Sequence, residues 1–128
     1  VVIDLPDTCL HDCEIKLPNK TFYVNPKVHD VTKKENKNDI VAVESIYNQY
    51  SSNEEYDIIY VCFGFRFEGV YIKFDPTYLK VFSPQFLPIY INPRNDKIQA
   101  YYNHTSQERT RPQFLNELKL NSKKIKLT

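Results

Sequence analysis

The stretch from Tyr56 to Phe74, YDIIYVCFGFRFEGVYIKF, constrains the fold more than any other part of the chain. It is dense in β-branched and aromatic residues, which are the types enriched in strands. Phe65 and Phe67 share one face of the first predicted strand. Glu68 and Gly69 follow, where a two-residue turn would join that strand to a second one. The stretch therefore predicts a β-hairpin.

Further strands are predicted on both sides of this hairpin. CEIKLPNKTFYVNP alternates apolar and polar residues around Pro18 and Asn19, which predicts a second hairpin. Residues 27–39 are rich in Lys and Asn and predict a solvated loop. Asp75 and Pro76 end the central hairpin, after which TYLKVF and KIQAYY predict short strands. SPQFLPIYINP carries three prolines, which favours an edge strand or an extended connection.

Two helices are predicted. DIVAVESIYNQY, residues 39–50, places apolar side chains at three- and four-residue steps, with Asn38 or Asp39 as the cap. TRPQFLNELKL opens with Thr110 and Gln113, the pattern of a capping box. Strands joined by short connections, with two helices among them, predict an α+β fold. We expect an antiparallel sheet of about five to seven strands with two helices packed on one face.

The size of the chain favours one domain. At 128 residues, of which 41% are hydrophobic, it can bury a core of its own without disulfides or a metal ion. We therefore expect a single domain over 1–128, with 1–10 and 121–128 as peripheral or partly ordered ends.

The sequence offers little that could carry catalysis. Its two glycines, Gly64 and Gly69, are too few for a phosphate-binding loop or a dinucleotide fingerprint. Cys9, His11 and Cys13 are the types of residue that bind zinc, but their spacing does not match a common zinc motif. The three histidines fall in polar stretches without a nucleophile motif beside them. We expect no catalytic residue, no metal, no cofactor and no enzyme activity.

The cysteine count leaves the compartment open. Three cysteines fit free thiols in a reducing compartment, or one disulfide from Cys62 to Cys9 or Cys13 with one thiol left over. Asn19 and Asn103 stand in glycosylation triplets, which matter only in a secreted chain. An intracellular location is favoured and a secreted one stays open. No apolar run reaches the roughly 18 residues of a membrane span, and the chain start lacks a signal-peptide pattern.

Tyrosines form the main predicted binding surface. Tyr23, Tyr71, Tyr78 and Tyr90 fall on strand positions where a sheet with one solvated face should carry polar residues. Tyrosine at partly exposed positions is common in protein interfaces. These four residues therefore predict a surface for a partner protein.

Nucleic-acid binding is the alternative. The chain as a whole is balanced, with 17 basic and 16 acidic residues, but residues 107–128 hold six basic residues and two acidic ones. Basic side chains beside aromatic ones suit single-stranded nucleic acid. The residues of this alternative are Arg109, Arg111, Lys123, Lys124, Tyr101 and Tyr102.

Two family resemblances agree with the main prediction. DIVAVESIYNQY resembles the opening helix of RWD domains, which are relatives of the ubiquitin-conjugating fold. The corresponding residues here are Asp39, Ile40, Ala42, Val43, Ser45, Ile46 and Tyr47. The resemblance covers 38–93, where YIKFDPTYLKVFSPQFLP has prolines near the position of the family's turn. It implies a non-catalytic protein-binding module, because nothing here resembles the catalytic cysteine site of active relatives.

The stretch FRFEGVYIKFDPTYLKVFSPQFLPIYINPRNDKIQAYY is similar to polo-box modules in its succession of short strands, which again implies an interaction module. The sequence thus predicts a non-catalytic protein–protein interaction module of open oligomeric state. A secreted host–pathogen binding protein with one disulfide is a further alternative.

Overall fold

The computed structural model describes the backbone of residues 2–4 and then residues 11–34, 37–101, 105–122 and 125. The chain forms two compact units. We call Val1–Asn36 with Ile58–Phe82 the sheet unit, and Lys37–Asp57 with Ser83–Thr128 the helical unit. The predicted single domain over 1–128 stays a prediction.

The α+β class is confirmed. The elements in chain order are β1 (Val2–Asp4), β2 (Cys13–Leu17), β3 (Lys20–Asp30), β4 (Asn38–Ala42), α1 (Val43–Ser52), β5 (Ile58–Glu68), β6 (Tyr71–Phe82), a 3₁₀ turn (Pro84–Phe86), β7 (Tyr90–Asn92), β8 (Lys97–Ala100) and α2 (Arg111–Asn121). The prediction of one antiparallel sheet is wrong. The strands form a five-stranded sheet of order β1-β2-β3-β5-β6 and a three-stranded sheet of order β4-β8-β7.

The five-stranded sheet is mixed because β3 and β5 are parallel. Their register runs from Tyr23 opposite Ile58 to Asp30 opposite Phe65, while every other pair in this sheet is antiparallel. Parallel neighbours need a long connection, and here the chain passes through β4 and α1 between the two strands.

The two predicted hairpins of the sheet unit are confirmed, with longer strands than expected. β2 and β3 are joined at Pro18 and Asn19. β5 and β6 are joined at Gly69 and Val70, one residue later than the predicted turn, because Glu68 still pairs with Tyr71. Residues 27–30, predicted as loop, continue β3 because their backbone groups pair with β5.

Strand β6 also continues where the sequence predicted a break. Phe63 pairs with Leu79, but the next residue, Gly64, pairs with Asp75. Residues 76–78 therefore form a bulge in β6, with no counterpart in β5.

The helical unit is antiparallel in its sheet, and β7 is an edge strand as predicted. Its core is built from side chains of both helices and of β8. Those that are at most 2% exposed include Val43, Ile46, Tyr50, Ile98, Phe114 and Leu118. The Tyr50 and Phe114 rings meet edge to face, with centroids 5.6 Å apart, so α1 and α2 pack together.

Helix α1 begins four residues later than the sequence predicts. Asn38 and Asp39, predicted as caps, lie instead in β4, which pairs with β8. Ala42 holds the N-cap position without a side-chain cap. The Val43 N–H donates instead to the backbone oxygen of Asp96 at 3.0 Å, so a distant turn satisfies the helix end.

Helix α2 follows its prediction. The Thr110 side chain accepts a hydrogen bond from the Gln113 N–H, and the Gln113 side chain accepts one from the Thr110 N–H. This is the predicted capping box, and Pro112 lies in the first turn, where its missing N–H costs nothing.

Candidate functional site

Strand β5 has one buried face and one open face. Ile58, Tyr60 and Cys62 are fully buried. The odd-numbered residues of β5 point to the other face. There Phe63 and Phe67 are exposed, although both are large and apolar. The buried and the exposed positions of this strand are therefore both apolar. In an ordinary sheet with one solvated face, the exposed positions carry polar groups.

Strand β6 extends this open face. Leu79 lies directly opposite Phe63, and Ile72 lies opposite Phe67. Cross-strand partners project to the same side of a sheet, so these side chains stand together. Val28 of β3 joins them through its pairing with Phe63. We define the apolar face as the exposed side chains of Val28, Phe63, Phe67, Ile72, Phe74, Leu79 and Val81.

The bulge in β6 is what makes the apolar face continuous. In a regular strand Phe74 and Leu79 would lie on opposite faces, because side chains alternate with a period of two. The shift between Gly64 and Phe63 reverses the alternation, so that Phe74 pairs with Phe65 and Leu79 with Phe63 on one side. The bulge thus brings two apolar sets of opposite parity onto the same face.

Gly64 makes room for this bulge. A Cβ at Gly64 would lie 2.5 Å from Cβ of Tyr78 and 2.7 Å from Cγ1 of Val31, closer than atoms can approach. The hydroxyl and the N–H of Thr77 both donate to Oδ1 of Asp75, at 2.6 and 2.9 Å, which closes the turn of the bulge. These bonds from Thr77 lower the pKa of Asp75 below its usual value.

The apolar face is large for an uncovered surface. Its members on β5 and β6 are between 42% and 66% exposed. Together with Val28 they leave roughly 700 Å² of apolar surface open, above the few hundred Å² usual for a soluble monomer. Such a surface marks a site of interaction.

The opposite side of the hairpin tip is polar. Nε of Arg66 lies 3.1 Å from Oε1 of Glu68, and Nζ of Lys73 lies 3.8 Å from the same oxygen. Because these three residues alternate with Phe67 and Ile72, the hairpin is amphipathic. The charged groups at the tip are therefore directed away from the apolar face.

Three of the four predicted tyrosines share that opposite side. Tyr71 is 75% exposed and pairs with Glu68. Tyr78 is half-buried and stacks on His29, with centroids 5.4 Å apart. Tyr23 is half-buried and meets the His11 ring edge to face at 5.0 Å. The tyrosine positions therefore lie across the sheet from the apolar face.

The fourth predicted tyrosine lies in the other unit. Tyr90 belongs to β7 and contacts the Tyr101 ring edge to face, with centroids 6.5 Å apart. Nζ of Lys37 stands 4.1 Å from the Tyr90 centroid and 5.6 Å from that of Tyr101. The structure therefore does not bring Tyr90 into one sheet with the other three.

Arg109, predicted for nucleic acid, is buried and bonded within the helical unit. Its Nε donates to the Gln85 oxygen at 2.9 Å, and its Nη2 donates to the oxygens of Pro84 and Leu87. Its Nη1 donates to Oε2 of Glu117 at 2.8 Å. This guanidinium joins the 3₁₀ turn to α2, which is a structural role.

Arg111 is held in the same way. Its Nη1 donates to the Asn53 oxygen at 2.7 Å, and its Nη2 donates to the Tyr56 oxygen. The guanidinium also lies over the Tyr50 ring, 4.4 Å from its centroid. Arg111 thereby ties the start of α2 to the end of α1. Lys123, Lys124 and Tyr102 lie outside the described residues.

Asp39, predicted as a helix cap, is instead the centre of a hydrogen-bond cluster. It accepts from Nδ2 of Asn95 at 2.8 Å, from Nε2 of Gln99 at 3.0 Å and from Nδ2 of Asn92. The Asn95 bond is the largest of the contacts that lower the pKa of Asp39. The cluster joins β4 to the turn between β7 and β8.

A hollow of about 310 Å³ in the helical unit is lined by Tyr50, Ser51, Glu54, Arg111, Pro112 and Leu115. Its volume is at the lower end for a ligand pocket. The Arg111 guanidinium at its wall already bonds to backbone carbonyls, as described above. We assign no chemistry to this hollow.

The other sequence candidates are dispersed. Cys9, Asn103 and His104 lie outside the described residues, Cys62 is fully buried, and Asn19 is exposed in the β2–β3 turn. Within the described ranges, no three His, Cys, Asp or Glu side chains are grouped to hold a metal ion. The helices of those ranges include none that is long and apolar enough to cross a membrane.

The predicted binding surface was the tyrosine phase of the strands, and the phenylalanines of β5 were not among its residues. The signal was present, because one phase of YVCFGFRF is apolar throughout and the other begins with Tyr60 and Cys62, which are buried. Apolar residues in both phases of a strand are typical of a strand that is covered on both faces. The sequence matches no protein-family model and no curated protein.

Proposed function

We propose that this chain is a non-catalytic protein-interaction module whose partner packs on the apolar face. The observation that carries the proposal is the side-by-side exposure of large apolar groups on β5 and β6. Covering them removes apolar surface from water, which is the main driving force of protein association.

The chemistry of the face favours a protein partner. On this side of β5 and β6, every position outside the bulge carries an apolar side chain. Nucleic acid would need cations there, and the two predicted arginines with described positions are bonded internally. The nucleic-acid alternative stays a prediction without support from these contacts.

The proposed function is the interaction module expected from the sequence, but its binding surface lies on the other side of the five-stranded sheet. The predicted surface was the tyrosine side, with Tyr71 as its most exposed member in the sheet unit. The proposed surface is the other side, and Ile72 is its counterpart. The expectation that α1 and α2 cover one face of a sheet also belongs to this proposal, for the three-stranded sheet. The shared burial of Ile98 and Phe114 supports it.

Two adjacent residues test which side binds. Tyr71 and Ile72 are neighbours on β6, are 75% and 61% exposed, and point to opposite faces. Ile72→Glu places a charge on the apolar face, and Tyr71→Glu places the same charge on the tyrosine side. Both variants change net charge equally, and neither removes a buried side chain.

The experiment is affinity capture from cell extract on the immobilised wild type and on both immobilised variants. Quantitative mass spectrometry then identifies the proteins that each of them retains. We expect at least one protein, this chain included, to be retained by the wild type and Tyr71→Glu and lost with Ile72→Glu. The proposal fails if Ile72→Glu retains the same proteins as the wild type. Loss with Tyr71→Glu alone would return the site to the tyrosine side.

A further inference from the structure

We propose that the partner on the apolar face is a second copy of this chain, so that two copies pack sheet against sheet through a two-fold axis. The inference rests on the proposed function, because it names the occupant of the same face. Two sheets packed in this way lie about 10 Å apart with their side chains interdigitated.

The area of the apolar face fits a second copy. The roughly 700 Å² left open on each copy is close to the roughly 800 Å² that each partner contributes to a standard stable interface. A second copy brings an equal area of the same chemistry. Two apolar faces of matched size cover one another without leaving either partly exposed.

Charge also favours a second copy. In a two-fold interface the same patch of the two copies meets, so a charged patch would repel itself. On β5 and β6 the apolar face contains no charged side chain, since Arg66, Glu68 and Lys73 point the other way. Asp30, the last residue of β3, pairs with Phe65 and is the acidic group on this side at the end of that strand. The net charge of the whole chain is only +1, so two copies repel each other little at long range.

The edge of β6 is a competing route to self-association. β6 is one of the two edge strands of the five-stranded sheet, the other being β1, and a bare edge would invite strand addition. The β6 edge is interrupted by the bulge and by Pro76, and it carries Lys73 and Lys80. Because bulges, prolines and lysines discourage edge pairing, β6 favours association through the apolar face over association through its own edge.

The test is the mass of the full chain in solution, measured by sedimentation over roughly 1–100 µM, a range in which interfaces of this size associate. We expect the wild type to approach twice 15.2 kDa. Ile72→Glu should raise the dissociation constant at least ~100-fold, because it buries unpaired charge in an apolar contact. Tyr71→Glu should leave the dissociation constant within a factor of about three.

A wild type that stays at 15.2 kDa throughout overturns the inference, as does a dimer that Ile72→Glu leaves intact. The first result leaves the proposed function standing if the capture experiment finds another protein that Ile72→Glu loses. If the wild type stays monomeric and the capture experiment also finds no protein that Ile72→Glu loses, both the inference and the proposed function fail.

An uncharged photo-cross-linking probe provides a second test that does not depend on the charged variant. Phe74 replaced by benzoylphenylalanine keeps an aromatic group on the apolar face, and light then cross-links it to whatever lies against it. Mixing isotopically light and heavy copies separates links between chains from links within one. Between-chain links to Phe63 or Leu79 support the inference, and links between chains only to other surfaces overturn it.

Discussion

Replacing Arg109 with methionine tests whether this arginine holds the helical unit together. The Arg109 side chain is only 5% exposed and donates to three backbone oxygens, those of Pro84, Gln85 and Leu87. Methionine keeps an apolar stem beside the Phe114 ring and removes every donor. The carbonyls of Gln85 and Leu87 then lose this donor, whereas the carbonyl of Pro84 still accepts the Leu87 N–H at 3.3 Å.

The expected loss follows from the two acceptors that lose this donor, the carbonyls of Gln85 and Leu87. A buried acceptor left without its partner costs about 1 kcal/mol or more. The Glu117 carboxylate, whose side chain is 44% exposed, can rehydrate, so its broken ion pair contributes little. We expect Arg109→Met to lower the free energy of unfolding by about 2 kcal/mol. Arg109→Lys should recover less than half of this, because an ammonium group cannot reproduce the planar set of donors.

The assay is urea denaturation followed by helical circular dichroism, which reports α1 and α2. Glu117→Gln is the matched control and should cost less than about 1 kcal/mol. A loss below about 1 kcal/mol for Arg109→Met would refute the structural role. Full recovery in Arg109→Lys would contradict the need for a planar set of donors at this position.

Three further substitutions test other parts of the fold by urea denaturation, followed by helical circular dichroism for the helical unit and by tyrosine fluorescence for the sheet unit. Gly64→Ala should cost about 1–3 kcal/mol, because its Cβ would meet Tyr78 and Val31 at rigid atoms, and unchanged stability would contradict the described packing. Thr110→Ala should cost about 1 kcal/mol through loss of the capping box, and Ser at this position should restore it. The lowered pKa of Asp39 means that its ionised form stabilises the fold above pH about 4 and that this contribution is lost as the pH falls through the folded pKa. Asp39→Asn should therefore flatten the acid side of the plot of unfolding free energy against pH. Asp30 and Asp75, whose pKa values are also lowered, keep part of the slope. A plot equal to that of the wild type would refute the assignment.

Local signals in the sequence predicted what local interactions form. The capping box of Thr110 and Gln113 lies within one turn of chain, and α2 begins where it indicates. The start of α1 could not be predicted in this way. Asn38–Ala42 has a helical pattern of apolar residues, but its backbone pairs with β8, more than fifty residues away. Tertiary pairing overrides local propensity there.

The parallel pairing of β3 with β5 is non-local for the same reason, and so is the division into two sheets. A polar composition predicted loop for residues 27–30, yet those residues pair as strand. Polar side chains do not prevent strand formation when a neighbouring strand supplies the hydrogen bonds. The candidate tyrosines were identified by the expectation that the solvated phase of a strand carries polar residues, whereas the exposed phase of β5 carries Phe63 and Phe67.

The bulge in β6 gives a further reason to regard the apolar face as a used surface. Without it, Ile72 and Phe74 would point to the side opposite Leu79 and Val81, and the apolar face would lose two of its seven side chains. The bulge needs Gly64, whose flexibility weakens a strand interior, and a closed turn at Asp75. Both features concentrate apolar groups on one exposed side, which is unfavourable for a monomer in water. The arrangement lowers the free energy only when something covers that side.

Thr77→Ala removes the hydroxyl donor to Asp75 and should therefore weaken self-association, as Ile72→Glu does. Residue 77 lies in the bulge and is not one of the side chains of the apolar face. Equal dissociation constants for Thr77→Ala and the wild type, measured by sedimentation, would separate the bulge from the interface and remove this argument.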